Sequence, residues 1–333
     1  MNREIFNISI SGTGSYLPDN ILTNRDMEMM VDTSDEWIVA RSGIKERRVC
    51  PRGLASSDMG YRAALKACRD AGISPEELEF IICSTVSADK YFPSTACLIQ
   101  HKLGRRDIPA FDISAACSGF IYALEVARGF IGVGTYKRGL VVASECMSRL
   151  TDYTDRATCV LLGDGAGAAV VERASGDGGL LGAYISADGG YGDLLQTPAG
   201  GSRMPSSFHT IENRLNYMKM EGSAIFKVAI LTMSESLEKL LERCGLTKED
   251  ISLLIPHQAN LRIIKGVARN LGLPEERLYI NIENYGNMSA ACIPVAIDEA
   301  RRKGLIKKND IIATVAFGGG LTWGANLIRW TAE

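Results

Sequence analysis

Histidine is scarce in this 333-residue chain, with three residues at positions 101, 209 and 257. Cysteine is not scarce, but the nine residues at 50, 68, 83, 97, 117, 146, 159, 244 and 292 are scattered, odd in number and never spaced as CxxC. Neither a disulfide scaffold nor a local zinc site is expected, and no metal is assigned. No long basic run occurs and the net charge is −2, so nucleic acid is not an expected partner. No apolar run approaches the ~18 residues that span a bilayer. The N-terminus MNREIFNISISG lacks the charged-then-apolar pattern of a signal peptide, so no membrane partner and a cytoplasmic location are expected. Gly12-Thr13-Gly14 and Gly163-Asp164-Gly165-Ala166-Gly167 fail to complete GxGxxG after a strand, which argues against a dinucleotide dehydrogenase.

What is present is apolar content of 46%, enough for one large core or two of ordinary size. β-rich runs at 8–10, 80–86, 110–113, 139–143 and 166–172 alternate with helical stretches at 57–71, 94–103 and 121–131. The order then recurs with strands at 180–186, 252–255, 278–282, 310–317 and 325–330 and helices at 224–244 and 290–303. Such alternation predicts an α/β chain built on mainly parallel sheets covered by helices. Ser74-Pro75-Glu76-Glu77 and Thr247-Lys248-Glu249-Asp250 are matching cap signals, each leading into an apolar strand. FDISAACSGF in the first half answers NIENYGNMSAAC in the second. Two similar βα halves follow, residues 1–175 and 176–333, and the strand ends of both halves converge where sites form.

Four stretches carry candidate chemistry. Cys117 lies in a small-residue turn between a strand and a helix, where unpaired N–H groups and the helix dipole favour a thiolate nucleophile. His257 ends the apolar run Leu253-Leu254-Ile255-Pro256. Asn287 sits in Asn284-Tyr285-Gly286-Asn287-Met288-Ser289, and Gly318-Gly319-Gly320 follow a strand with backbone N–H groups unshielded, suited to an oxyanion. Taken singly, a core cysteine, a structural histidine, an ordinary turn and a flexible loop explain them equally well. No acidic residue stands in place of Asn287 or beside Cys117 in these motifs, so proton abstraction by a carboxylate is not indicated. Cys292, within an apolar helix, reads as core.

Together, Cys in AACSGF, His in PHQAN, Asn in YGNMSAA and the glycines of AFGGGLTWG resemble the β-ketoacyl-acyl carrier protein synthase III family, over practically the whole chain. The resemblance implies a thiolase fold, two duplicated halves in a five-layered α-β-α-β-α arrangement, and a homodimer. It implies an acyltransferase that starts fatty-acid synthesis by decarboxylative Claisen condensation of a short acyl-CoA primer with malonyl-acyl carrier protein. Cys117 would carry the acyl group; His257 and Asn287 would stabilise the enolate; the N–H groups of Cys117 and Gly319 would form the oxyanion hole. No cofactor is implied, because acyl-CoA is a substrate. Thr33, Trp37, Arg41, Arg156, Met220, Gly222, Phe226, Ala259 and Asn260 match the coenzyme A and pantetheine positions. Phe92 of the other subunit, Met147, Leu162, Leu195 and Met218 match the acyl pocket. The carrier-docking positions fall on Gln258, Ala259, Asn260, Leu261 and Arg262, and Lys265 and Arg269 extend the same face if the segment is helical. The primer is left open, as are two other readings: a related condensing enzyme or acyltransferase of secondary metabolism, and a non-catalytic acyl-CoA-binding protein. Residues 200–216, longer and more polar than the family suggests, read as a surface loop.

Overall fold

A computed structural model describes residues 5–332. In chain order its main elements are β1 (Ile8–Tyr16), α1 (Asp35–Ser42), α2 (Ser56–Asp70), β2 (Ile81–Ser84), α3 (Thr95–Lys102), β3 (Ala110–Ile113), α4 (Gly119–Gly132), β4 (Arg138–Cys146) and β5 (Asp164–Arg173). They continue with β6 (Gly179–Ala187), α5 (Gly222–Cys244), β7 (Leu253–Pro256), α6 (Leu261–Leu271), α7 (Cys292–Arg302), β8 (Ile311–Gly318) and β9 (Thr322–Arg329). Both cap signals are single 3-10 turns with reciprocal capping boxes, Ser74 with Glu77 and Thr247 with Asp250.

The strands form a five-stranded sheet, β1-β5-β4-β2-β3, and a four-stranded sheet, β7-β8-β9-β6. Only β4/β2, β2/β3 and β7/β8 pair in parallel; the other four pairings are antiparallel. The sheets are therefore mixed, correcting the expectation of mainly parallel pairing. A long antiparallel return through residues 147–163 joins β4 to β5 and a tight one joins β8 to β9, replacing crossovers at those points. The strand orders of the two sheets correspond, except that the expected strand at 278–282 is reduced to one bridge, Leu254 to Leu278, before a short helix at Ile282–Tyr285.

Side-chain alternation divides the apolar content into three layers. On β4, Leu140 and Val142 face α2 and α3, whereas Val141 and Ala143 face α4 and α7. On β8, Ile312 and Ala316 share that central layer, while Ala313 and Val315 pack beneath α5 and α6. The result is helix, sheet, helix, sheet, helix, with α4 and α7 buried between the sheets. Asp298, a charge on the central helix α7, is matched by the hydroxyls of Thr13 (2.8 Å) and Ser15 (2.6 Å) and by Arg302 (3.0 Å). Among the described residues no helix is long and apolar enough to cross a membrane.

The two unassigned glycine patterns are close approaches. At Gly14 a Cβ would stand 2.4 Å from the backbone of Ala63 and Ala67 on α2. Gly165 and Gly167 likewise admit Met288 and Pro294 against β5. Gly14→Ala is expected to push α2 off β1 and cost about 1–3 kcal/mol, as overpacking does. Thermal denaturation checks this: an unchanged melting temperature would show that helix and strand separate without cost.

Candidate active site

After β3 the chain turns through Ala116, held at φ +43°, into the 3-10 turn Ala116–Ser118 and then α4. Ser118 Oγ lies 2.8 Å from the Ala115 carbonyl and 2.6 Å from Thr322 Oγ1, fastening the turn to β9. Only glycine fits at 318, because a Cβ there would stand 2.5 Å from the Cys117 nitrogen. Cys117 thus sits on a cavity of about 350 Å³ with Met147, Leu150, Leu195, Met218, Ser289 and Gly319 among its walls. It keeps a partly accessible face, but its surroundings are dense. Burial, with the nearby Glu145 charge acting in the same sense, pushes the thiol up to about 12. Desolvation thus opposes the thiolate that the start of α4, two residues later, favours.

His257 leaves β7 with its N–H donated to the Val315 carbonyl of β8 (2.7 Å). The side chain is 1% exposed, Nδ1 has no hydrogen-bond partner, and burial lowers the ring to about 3, so the imidazole is neutral. Asn287 is clamped by its backbone against Leu161 and Gly163, at 2.8 and 3.0 Å. Its Oδ1 accepts the Ser289 N–H (2.8 Å), which leaves the amide N–H₂ as the outward donor. Gly286 permits this loop: φ is +64°, and a Cβ would lie 2.8 Å from the Leu161 carbonyl. Cys292 joins the pieces, since its Sγ lies 3.9 Å from the Gln258 carbonyl and 4.0 Å from Asn287 Oδ1. It is fully buried, and burial raises its thiol, with the Cys117 charge adding.

A second cavity, about 470 Å³, is lined by Trp37, Arg41, Met220, Gly222, Phe226 and Asn260, together with Ser223, Lys227 and Arg262. The Arg156 guanidinium stands 4.9 Å over the Trp37 ring and that of Arg41 5.7 Å from it. Among the described residues, Arg41, Lys227 and Arg262 make no salt bridge with any carboxylate. Unpaired cations beside an indole suit a polyanionic, aromatic-headed ligand.

Comparison with known proteins decides the family. Residues 111–189 match the family model described as 3-oxoacyl-[acyl-carrier-protein (ACP)] synthase III, and residues 241–330 match that of its C terminal. The chain is 54% identical over 322 residues to beta-ketoacyl-[acyl-carrier-protein] synthase III of Caldanaerobacter subterraneus subsp. tengcongensis, covering 97% of each chain. It is 50% identical to that of Natranaerobius thermophilus, covering 97% of this chain and 99% of the other. The crystal structure of 3-oxoacyl-[acyl-carrier-protein] synthase III from Aquifex aeolicus VF5 superposes with a TM-score of 0.91 at 47% identity, covering 97% of this chain and all of that one. The chain belongs to the 3-oxoacyl-[acyl-carrier-protein] synthase III family. Its fold is the thiolase fold.

Within this synthase III fold several expected positions are placed differently. Leu162 is buried outside the lining of the Cys117 cavity with its backbone bridged to Asn287, whereas Phe92, expected from the other subunit, stands 85% exposed after β2. Thr33 and Ala259 lie off the Trp37 groove, and Thr33 Oγ1 is buried without a partner. Gln258, expected on the docking face, is fully buried. Its amide bonds the Pro256 carbonyl (2.7 Å), and its Oε1 accepts the N–H of Asn281 (3.0 Å) and Ile282 (3.2 Å). Leu261 packs against Gly43, and Asn260 caps α6. Arg262, Lys265 and Arg269 do share the helix, but Lys265 is held by Glu275 at 2.9 Å. Residues 200–216 include a short helix, Phe208–Glu212, fastened by Arg214 to the buried Asp152 (2.8 Å).

Val86, Leu150 and the adjacent Gln196 and Thr197 line the Cys117 cavity unforeseen, since they come from three separate segments without a motif. Ser223 and Lys227 were within reach of sequence, four residues apart on the helix that carries Gly222 and Phe226. Glu145 is the acidic neighbour that motif reading missed, because β4 brings it from a distant position.

The neutral His257 predicts acid sensitivity. Its folded value lies below the ordinary 6.5, so the unfolded chain takes up the extra proton, and stability falls as pH drops from 6.5 toward 3. The slope from this residue approaches about 1.4 kcal/mol per pH unit within that window. Melting temperatures across pH 4–7 should fall less steeply in His257→Asn; parallel profiles would show that the ring protonates without cost.

Proposed function

We propose that this synthase III loads a short acyl-CoA primer onto Cys117 and condenses it with malonyl-acyl carrier protein, giving 3-oxoacyl-acyl carrier protein and starting fatty-acid synthesis. The carrying observation is that the buried Cys292 lies between the Asn287 side chain and the Gln258 carbonyl, one residue past the neutral His257, and within electrostatic reach of the cavity-bound Cys117. Loading forms the Cys117 Sγ–acyl bond and breaks the coenzyme A thioester, and the thiol proton leaves with the coenzyme A sulfur. The carbonyl oxygen of the tetrahedral intermediate would take the N–H groups of Cys117 and Gly319. Loss of carbon dioxide from the malonyl group then leaves an enolate, whose oxygen a neutral His257 N–H and the Asn287 amide suit. The carbanion attacks the acyl carbon and expels the Cys117 sulfur, which regains a proton.

The unpaired cations around Trp37 support coenzyme A there, with Arg156 closing over the adenine and Thr33 and Ala259 at its margin. On this reading residues 1–175 supply the nucleophile and 176–333 the enolate donors. Both acyl carriers are substrates, no cofactor enters, and the enzyme acts in the cytoplasm. Phe92, exposed beside the free edge strand β3, suits a homodimer in which each subunit closes the partner's acyl cavity, against Leu162 behind the wall.

Cys117→Ala is expected to abolish the acyl adduct seen by mass spectrometry while retaining some malonyl decarboxylation; an adduct elsewhere sinks the assignment. His257→Ala and Asn287→Ala should still load, yet lose condensation by ~10²-fold or more, as removal of a preorganised oxyanion donor does. Equal loss of loading would mean that the donors do not divide as described.

The carrier-docking face narrows to Arg262 and Arg269, since Lys265 is engaged and Arg262 also lines the groove. Arg269→Glu should raise the KM for malonyl-acyl carrier protein and its salt dependence while leaving acyl-CoA loading within about twofold, because exposed charges act chiefly on encounter. An unchanged carrier KM would place docking elsewhere.

A further inference from the structure

Glu145, at the end of β4, is fully buried, and no salt bridge among the described residues includes it. Its carboxyl instead receives three consecutive residues that follow β2. Thr85 Oγ1 lies at 3.1 Å, the Val86 N–H at 3.1 and 3.3 Å from the two oxygens, and Ser87 Oγ at 2.5 Å. The hydroxyls have little freedom to reverse. Thr85 Oγ1 already accepts the Ser87 N–H (3.1 Å), and Ser87 Oγ accepts the Cys146 N–H (2.8 Å), so both hydrogens point at Glu145. With the Ser289 hydroxyl, which also acts on this carboxyl from the Asn287 loop, the group has four donors and, among the described residues, no acceptor: a socket built for a carboxylate.

The segment so held is the wall of the acyl cavity. Val86 lines it with Cys117 and Met147, and the same stretch runs on to Asp89, whose carboxylate accepts the Ser57 N–H (2.8 Å) and hydroxyl (2.7 Å), and then to the exposed Tyr91 and Phe92. A displaced Val86 changes the cavity without touching His257 or Asn287. We propose that Glu145 is a positioning residue for acyl loading, a buried carboxyl whose hydrogen bonds fix residues 85–87 as the wall against which the primer is held over Cys117. This rests on Cys117 being the acyl acceptor. Its charge also raises the Cys117 thiol, as do burial effects there. The other titratable groups around Glu145 are Cys83 on β2, Asp112 on β3, Asp89, Cys146 and, across the site, Cys292.

The test compares Glu145→Gln, Glu145→Asp and Thr85→Val with wild type in the full-length protein. The amide of Gln turns a donor toward donors; Thr85→Val removes one donor and leaves the charge. Readouts are the rate of acyl adduct formation with acetyl-, butyryl- and isobutyryl-coenzyme A, malonyl decarboxylation, and the pH profile of alkylation by iodoacetamide. Glu145→Gln should slow loading by about tenfold or more, a loss expected for buried hydrogen bonds to a charged group. It should alter the ranking of the three primers, spare decarboxylation, and move alkylation to lower pH; Thr85→Val should slow loading without moving that profile, and Glu145→Asp should recover part of the loss. Unchanged loading and ranking in Glu145→Gln, or equal loss of loading and decarboxylation in all three variants, overturns the proposal. Cys117→Ala is run alongside: an acyl adduct there overturns the functional reading itself, whereas its absence together with normal loading in Glu145→Gln overturns only the role of Glu145.

Discussion

The structure depends on two small-residue turns meeting in its middle layer. Ala116 and Ser289 occupy equivalent places, both with left-handed backbones (φ +43° and +50°), each opening a 3-10 turn that feeds a central helix. Space between them is minimal: a Cβ at Gly119 would lie 1.8 Å from Ser84 Oγ and 3.6 Å from the Ala290 Cβ. A side chain added at 119 or 318 would separate β2 or β8 from the Cys117 turn, and one at 286 would push the Asn287 loop off Leu161. Catalytic geometry and core packing are therefore one constraint, and glycine or alanine at these positions serves both.

Density also sets the electrostatics. Burial leaves the Cys117 thiol protonated and the His257 ring neutral, and Asn287 carries no charge, so the resting site holds polar donors rather than ions. Charge appears only on the reacting atoms, where preorganised N–H groups act without competing water. An imidazolium would bind an enolate more strongly, but it would cost more to hold in so dry a place than its attraction returns. Glu145 is the contrary case, a buried acid pushed up to about 7 by desolvation against the pull of its donors.

Much of this was legible in sequence because small-residue turns and apolar alternation leave local traces. Helix and strand positions followed from periodicity, as with α2 at 56–70 against 57–71 expected. Pairing direction did not follow, since an apolar strand such as β5 reads the same whichever way its neighbour runs. Three motifs singled out Cys117, His257 and Asn287 as candidates, but the desolvation that opposes a thiolate was not legible: helix position is local, whereas the walls Met147, Leu195 and Met218 come from far along the chain. Gln258 shows the same limit. Its motif marked it as important, but only the fold reveals that it bonds the backbone of 256, 281 and 282 beneath the site and faces no partner. Glu145 had no motif at all.

Net charge and local charge point in opposite directions here, and the difference explains how one surface serves two carriers. The chain as a whole is slightly acidic, which gives an acidic carrier protein no general attraction and leaves recognition to particular residues. Arg41, Lys227 and Arg262 stand free of carboxylates around one groove, while Lys265 on the same helix as Arg262 is neutralised by Glu275 and Arg156 is drawn toward Asp32. On the proposed function, a nucleotide's phosphates and a carrier's acidic side chains would both favour that patch, each delivering a pantetheine arm past Phe226 and Asn260. Since the unpaired cations are concentrated at one mouth, two chemically different carriers can be drawn in succession to the same route, each leaving before the other is held.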